Sequence, residues 1–166
     1  ARICKIRFHL RENSKVIDIG CNDGTLLAYL KKRKMFTLGV DPAKNVTRIA
    51  EKLGVEVISD FFSLPIAKKI LAQYEEFDVI FATNTLAQIE NLDDFVEGVR
   101  LLLGQNGVFV VEVGYLLDML EKKIFDSIYH EHYSYFSLHP LQVLFKKHGL
   151  SIFDAERISI HGGSLR

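Results

Sequence analysis

The sequence predicts an α/β fold in which a mostly parallel, twisted β-sheet is covered by helices on both faces. Two observations support this prediction: strand-like and helix-like segments alternate along the 166 residues, and the strand-like segments are apolar throughout. Strands buried on both faces have such continuous apolar runs, and strand–helix alternation produces parallel sheets. The length suits one domain, 1–166, and the chain has no repeat and no Pro/Gly-rich linker.

Local patterns place the individual elements along the chain. We expect strands at 16–20, 36–40, 55–58, 77–82, 108–113 and 150–157. We expect helices at 25–33, 42–53, 64–74, 92–103, 115–122 and 138–148, and the apolar residues of 92–103 follow helical spacing without a miss. Asn106-Gly107 indicates a turn, and 123–137 an irregular aromatic segment. The last residues resemble the entry to a strand whose end is missing, so we interpret the chain as a fragment of a longer protein.

Composition and charge exclude several classes of function. The 21 basic residues balance the 21 acidic ones, so nothing attracts nucleic acid or an anionic membrane over a long range. No apolar run is long enough to span a membrane, and the first residues of the sequence do not have the apolar core of a signal peptide. Two cysteines, Cys4 and Cys21, are too few for a disulfide framework or a structural zinc site. We therefore expect a soluble, cytoplasmic protein that binds no metal, nucleic acid or membrane.

The loop after the first predicted strand has the pattern of a nucleotide-binding turn. Ligands of parallel sheets bind beyond the carboxyl ends of the strands, and here the sequence is Asp18-Ile-Gly20-Cys-Asn22-Asp-Gly24. The dinucleotide fingerprint is not met, because Asn22 and Thr25 stand where its second and third glycines belong. This disfavours a nicotinamide cofactor. Asparagine tolerates a left-handed conformation, and the pattern resembles the first motif of the S-adenosylmethionine-dependent methyltransferases.

Polar residues at the next strand ends fit the same ligand. Asp41, before Pro42, can accept both ribose hydroxyls of an adenosyl group, as the acidic residue does in dinucleotide folds. Asp60 can accept from an adenine amino group with Phe61 stacked beside it, and Asn84 would line the amino-acid end. Helix capping is the alternative for both aspartates. Their order along the chain nevertheless favours S-adenosylmethionine.

A second cluster, in 125–136, has the residue types of acid/base chemistry. Tyr129-His130-Glu131-His132 places two histidines beside a carboxylate and a phenol, and histidine titrates near neutral pH. The spacing lacks the H-E-x-x-H pattern of a zinc site. A structural role, with tyrosines packed and histidines bonded to the backbone, is the alternative.

This cluster and later strings closely resemble the sugar C-methyltransferases, which act on nucleotide-linked keto-deoxysugars. The likeness covers about 16–166 and is strongest in three strings, Tyr129 to Leu138, Phe145 to Leu150 and His161-Gly162-Gly163-Ser164-Leu165-Arg166. It implies a Rossmann-like class I methyltransferase fold and S-adenosylmethionine as methyl donor. It also implies that His132 is the base that removes a proton beside the sugar ketone. The expected catalytic partners are Tyr129, Glu131 and His130, and the expected substrate contacts are Gln88, Tyr115 and His161.

Three departures from that family leave alternatives open. Gln88 stands where the family has a histidine, and an amide cannot exchange a proton near neutral pH. The family's zinc-binding N-terminal domain and its C-terminal domain have no counterpart in 1–166. Alternatives are therefore an O- or N-methyltransferase of another small molecule, or a non-catalytic S-adenosylmethionine-binding module. For this core alone we expect cofactor binding with little turnover.

Overall fold

The computed structural model describes residues 10–166, which form one seven-stranded sheet with helices on both faces. Cys4, one of the two cysteines considered above, lies outside the described residues. The strands are β1 Lys15–Ile19, β2 Phe36–Val40, β3 Glu56–Ile58, β4 Phe77–Thr83, β5 Leu103–Gly114, β6 Arg157–Ile158 and β7 Ser164–Leu165. The helices are α1 Thr25–Lys31, α2 Lys44–Lys52, α3 Leu64–Tyr74, α4 Leu92–Leu102, α5 Leu116–Glu121 and α6 Leu138–Lys147. Single 3₁₀ turns span Leu86–Gln88 and Ile160–Gly162.

The sheet order is β3-β2-β1-β4-β5-β7-β6. The first five strands pair in parallel, and β7 pairs antiparallel with both β5 and β6. The order reverses between β1 and β4, so the loops after these two strands flank the point where such sheets bind ligands. The expected fold class, a mostly parallel sheet between helices, is confirmed.

Successive side chains of each strand contact different hydrophobic cores, which explains why the strands are apolar throughout. In β1, Val16 belongs to a core with residues of α1 and α2, whereas its neighbour Ile17 belongs to a core with residues of α3, α4 and α6. In β4, Val79 and Ile80 divide between the two cores in the same way. Each strand therefore buries both of its faces, because side chains point alternately to opposite sides of a sheet.

Most predicted elements are found within one to three residues of their expected bounds, and α3 matches in full. The strand expected at 150–157 is wrong, because only Arg157–Ile158 form a strand. β7 pairs with β5 only at Val113 and Gly114, and β6 pairs only with β7. Residues 150–155 form neither helix nor strand, although Leu150 and Ile152 pack on the core. Glu156 extends the pairing of β6 with β7 by exchanging two backbone hydrogen bonds with Arg166.

The turn expected at Asn106-Gly107 is also corrected, since both residues lie inside β5. The pairing with β4 moves from Phe77 opposite Leu103 to Val79 opposite Val108. Four residues of β5, 104–107, thus face the single residue Asp78 of β4, and they form a bulge. No helix in the described part of the chain is long and apolar enough to cross a membrane.

Candidate active site

The loop after β1 adopts the left-handed turns that its sequence predicts. Gly20, Asn22 and Gly24 have φ values of 79°, 52° and 75°, so the asparagine takes the conformation expected of it. A Cβ at Gly24 would lie 2.6 Å from the Cβ of Ala50 in α2. The glycine therefore allows α1 and α2 to pack closely beneath the loop.

Asp41 ties this loop to the end of β2. One carboxylate oxygen accepts a hydrogen bond from the Asn22 N–H at 3.0 Å, and the other accepts from the Ala43 N–H at 2.9 Å. The N-cap of α2 is Ala43, and no side chain caps it. Asp41 therefore fixes two loops rather than capping the helix, and its remaining lone pairs can accept from ligand hydroxyls. Pro42 follows it and is exposed.

Asp18 lies below the loop, near the C-terminal end of β1, with 3% of its surface exposed. Its Oδ1 atom has no hydrogen-bond partner among residues 10–166. Burial, together with the nearby charge of Asp41, raises the pKa of Asp18 to about 7. A buried oxygen without a partner is costly, and a ligand that donates a hydrogen bond here would remove that cost.

The loop after β3 presents Asp60 and Phe61 to solvent. Asp60 accepts a hydrogen bond from the Phe61 N–H at 2.8 Å, and the Phe61 ring is 75% exposed. Asp60 does not cap α3. The Leu64 N–H at the start of that helix donates instead to Asp94 of α4 at 3.0 Å. Sequence reasoning missed this role of Asp94, which no local pattern could reveal because the two residues are distant in the chain.

Thr85 links the loop after β4 to the end of β1, and the sequence analysis did not identify it. Its hydroxyl donates to the Ile19 carbonyl, which lies at 3.0 Å. A Cβ at Gly20 would fall 2.2 Å from the Thr85 Oγ1 atom, so the glycine leaves room for this contact. The predicted residue Asn84 precedes it with a left-handed φ of 56° and is exposed.

The predicted aromatic segment, 123–137, contains neither helix nor strand and is anchored by its backbone. The N–H groups of Tyr133 and Ser134 approach the Ala87 carbonyl at 2.9 and 3.3 Å. Phe136 is buried and forms an isolated bridge with Tyr115 at the end of β5. The segment is therefore held against the 3₁₀ turn that also carries the exposed Gln88.

His132 is the centre of a hydrogen-bonded group within this segment. Its Nδ1 atom lies 2.9 Å from the Ser127 carbonyl, and its Nε2 atom lies 3.3 Å from the Tyr129 hydroxyl. A carbonyl can only accept, so Nδ1 carries the proton in the neutral ring and Nε2 keeps its lone pair. The tautomer follows from these contacts, and it makes Nε2 the basic atom.

The other members of the predicted cluster lie outside this hydrogen-bonded group. His130 is exposed, with its ring 5.9 Å from that of Tyr129. Glu131 is exposed and has no hydrogen bond or ion pair within the described range. The structure thus joins Tyr129 to His132, while the backbone of Ser127, rather than Glu131, orients the imidazole.

Tyr115 and His161 are brought near each other through the backbone. The Tyr115 N–H donates to the Gly163 carbonyl at 3.1 Å, and His161 is exposed with a left-handed φ of 51°.

The buried carboxylate of Asp118 accepts two hydrogen bonds from Arg157, at 2.8 and 3.0 Å. These bonds lower the pKa of Asp118 to about 2, with Lys122 contributing.

Two further observations describe the surroundings of the site. A cavity of about 330 Å³ lies along β5 beneath 149–156, and none of the predicted site residues lines it. Most of the predicted residues instead lie in the loops that follow β1 to β5. Among residues 10–166 no group of three or more His, Cys, Asp or Glu side chains is arranged to hold a metal ion.

Comparison with known proteins decides the family. The family model described as "Methyltransferase domain" matches residues 2–154. The chain belongs to the methyltransferase domain family. The expectation of a methyltransferase is thereby confirmed at the level of this family.

Individual relatives agree with this membership. C-methyltransferase NovU of Streptomyces niveus is 35% identical over 163 residues, which cover 98% of this chain and 39% of that protein. Sterol 4-C-methyltransferase strm-1 of Caenorhabditis elegans is 30% identical over 139 residues, covering 82% and 40%. The chain thus spans about two fifths of these relatives. The crystal structure of the YcgJ protein of Bacillus subtilis superimposes with a TM-score of 0.74 at 18% identity, covering 95% of this chain and 71% of that one, and supports the fold.

Proposed function

We propose that this protein methylates a small molecule with S-adenosylmethionine, and that the reaction is C-methylation of a nucleotide-linked keto-deoxysugar through an enolate. One observation carries the proposal. His132 holds its proton on Nδ1 against the Ser127 carbonyl, so Nε2 is left as a base beside the Tyr129 hydroxyl. The similarity to a C-methyltransferase, NovU, supports the same chemistry.

The loops after β1 to β4 are proposed to hold the methyl donor. Asp41 would accept from the ribose hydroxyls, Asp60 and Phe61 would contact the adenine, and Asn84 would lie along the amino-acid end. The unpartnered Oδ1 atom of Asp18 fits a ligand that carries hydrogen-bond donors, so the residues present suit S-adenosylmethionine. When bound, this cofactor supplies an electrophilic methyl group on a sulfonium.

The residues of the aromatic segment are proposed to activate the acceptor. A ketone at C4 of the sugar acidifies the neighbouring C3–H. His132 Nε2 takes this proton as general base, and the electron pair of the broken C–H bond is delocalised onto the ketone oxygen. Tyr129 then donates its hydrogen bond to this oxyanion, an interaction stronger in the transition state than in the ground state. The enolate carbon would then be the nucleophile that receives the methyl group, which the bound cofactor would release from its sulfonium.

The remaining predicted residues surround this reaction as acceptor contacts. Glu131 and His130 are exposed beside Tyr129 and are proposed to bind polar groups of the acceptor. Gln88, Tyr115 and His161 stay proposed substrate contacts on the neighbouring turns. A nucleotide-linked sugar is the proposed acceptor. A cytoplasmic location is proposed with it, because the low cysteine content suits a reducing compartment.

O-methylation of a different small molecule is the second candidate. The exposed Gln88 favours it, because the sugar family has a titratable histidine at that position. An imidazole with a free Nε2 atom can also take the proton of a hydroxyl, so His132 would serve both reactions. The two candidates differ in whether a carbon–hydrogen bond of the acceptor is broken before methyl transfer.

Binding of the methyl-donor product tests the first half of the proposal. Calorimetric titration with S-adenosylhomocysteine should show binding, whereas NAD should show none. Asp41→Ala should weaken binding by roughly tenfold to a hundredfold, since about 1.5–3 kcal/mol is the usual value of a hydrogen bond to a charged group. Asp126→Ala, at an exposed site in 123–137, is the control. Binding of NAD alone, or of neither ligand, would contradict the cofactor assignment.

Hydrogen exchange at the sugar tests the second half. A nucleoside-diphosphate 4-keto-6-deoxyhexose is incubated in D₂O with the protein and S-adenosylhomocysteine, which cannot donate a methyl group. C-methylation requires that the C3–H signal in the NMR spectrum be lost faster than without protein, and that His132→Ala abolish the acceleration. Exchange at the protein-free rate, in a sample shown to bind S-adenosylhomocysteine, would refute proton abstraction from this sugar class by residues 1–166.

A further inference from the structure

The carbonyl that orients His132 has a second hydrogen-bond donor. The Tyr135 hydroxyl donates to the Ser127 carbonyl at 3.3 Å, while His132 Nδ1 lies 2.9 Å from the same oxygen. A carbonyl oxygen has two lone pairs, so it can accept both bonds together. The rings of His132 and Tyr135 pack edge to face with centroids 6.2 Å apart. Tyr135 therefore touches both the imidazole and the oxygen that fixes its tautomer.

Tyr135 is itself held by residues on either side in the chain. The N–H of Ser134 approaches the Ala87 carbonyl of the 3₁₀ turn at 3.3 Å. Phe136 is 5% exposed, and its carbonyl accepts a hydrogen bond from the Leu116 N–H at 2.8 Å. The backbone of Tyr135 is thus fixed to the loop after β4 and to the end of β5. Its hydroxyl is therefore held where it can donate a hydrogen bond to the Ser127 carbonyl.

Ser127 has less support of its own. It lies in the part of the aromatic segment that contains neither helix nor strand, between the exposed residues Asp126 and Ile128. Without a second donor, its carbonyl can turn away from the imidazole at little cost. The neutral ring of His132 could then carry its proton on Nε2. In that tautomer Nε2 has no lone pair with which to take the proton of the acceptor.

We propose that Tyr135 is a positioning residue, which holds the Ser127 carbonyl so that His132 keeps Nε2 unprotonated as the base. This inference rests on the proposed function, in which His132 acts on the acceptor. Tyr135 acts through Ser127 and does not itself need to touch the acceptor. Its role differs from that of Tyr129, whose hydroxyl faces the basic atom directly.

The test compares Tyr135→Phe with Tyr133→Phe. The Tyr133 side chain is 60% exposed, and its hydroxyl has no hydrogen bond among the described residues, so its loss is a matched control. Protein labelled with ¹⁵N-histidine is examined by NMR, and the His132 signals are assigned by their absence from His132→Ala. We expect the Nδ1–H tautomer alone in the unmodified protein and in Tyr133→Phe, and a mixture of tautomers in Tyr135→Phe.

The exchange assay gives the functional readout. Tyr135→Phe should slow deuterium incorporation at the sugar C3 several-fold at saturating sugar, because only the Nδ1–H fraction of the mixture can take the proton. Its affinity for S-adenosylhomocysteine and its KM for the sugar should stay unchanged. An unchanged tautomer or exchange rate in Tyr135→Phe would overturn the positioning role. Exchange that survives His132→Ala would instead overturn the proposed function, whatever the tautomer.

Discussion

The buried carboxyl of Asp18 makes the stability of this protein depend on pH in a direction opposite to that of an ordinary aspartate. Burial and the charge of Asp41 raise its pKa to about 7, whereas an aspartate in an unfolded chain has a pKa of about 4. The folded state therefore holds this proton more tightly. The contribution to the free energy of unfolding is fully present below about pH 4 and is lost as the pH rises to about 7.

The size of the effect follows from the pKa difference. About three pKa units correspond to roughly 4 kcal/mol, at 1.36 kcal/mol for each unit. The perturbation is Asp18→Asn, which keeps the shape of the side chain and removes the titration. Urea unfolding of both proteins between about pH 4.5 and 7.5 should show that the stability of the unmodified protein, relative to Asp18→Asn, falls by roughly 3 kcal/mol.

Two variants make this measurement specific to Asp18. Asp126→Asn changes an exposed carboxyl, so its stability relative to the unmodified protein should stay nearly constant over the same pH range. Asp41→Asn removes the second cause of the raised pKa, so the fall should end at a lower pH. A constant difference for Asp18→Asn across the range would refute the reasoning, because it would mean that the carboxyl is neither desolvated nor without a partner.

Two further predictions concern single contacts and use thermal or urea unfolding. Gly163→Ala should destabilise the protein by several kcal/mol, because its Cβ would fall 2.2 Å from the Asp118 carboxyl carbon. At Gly149, with a φ of 73°, a Cβ would meet no atom within 4 Å, so Gly149→Ala should lower the free energy of unfolding by only about 1–2 kcal/mol. Equal losses of stability in the two variants would contradict this. Asp94→Ala should cost about 1 kcal/mol by removing the acceptor of the Leu64 N–H, with Glu97→Ala as the exposed control; no loss relative to that control would show that the bond adds no stability.

The elements that the sequence predicts well are those in which a local pattern matches burial. The apolar residues of α4 follow helical spacing, and Phe95, Val96, Val99 and Leu102 are all buried. The parallel strands were predictable because both faces are covered, so each is apolar throughout. Residues 150–156 were predicted wrongly for a related reason. Leu150 and Ile152 give the segment an apolar pattern and pack on the core, but only Arg157 and Ile158 pair as a strand, with β7.

The candidate site was predictable in its residues and less so in its contacts. The position of Asp41 after a strand, and the left-handed asparagine in the loop after β1, follow from patterns of a few residues. Distant contacts do not: the bond from Thr85 to Ile19 and that from Leu64 to Asp94 join loops or helices far apart in the chain. No periodicity encodes such a pair.

The sequence by itself determined the fold class, the family resemblance and the clustering of His132 with Tyr129, because each depends on residues close together in the chain or on a repeated pattern. Only the tertiary structure decided which nitrogen of His132 is basic, since that depends on where the Ser127 carbonyl lies. It also decided that Asp18 is buried without a partner. Burial and hydrogen-bond geometry are properties of the packed chain, and the local sequence constrains them only weakly.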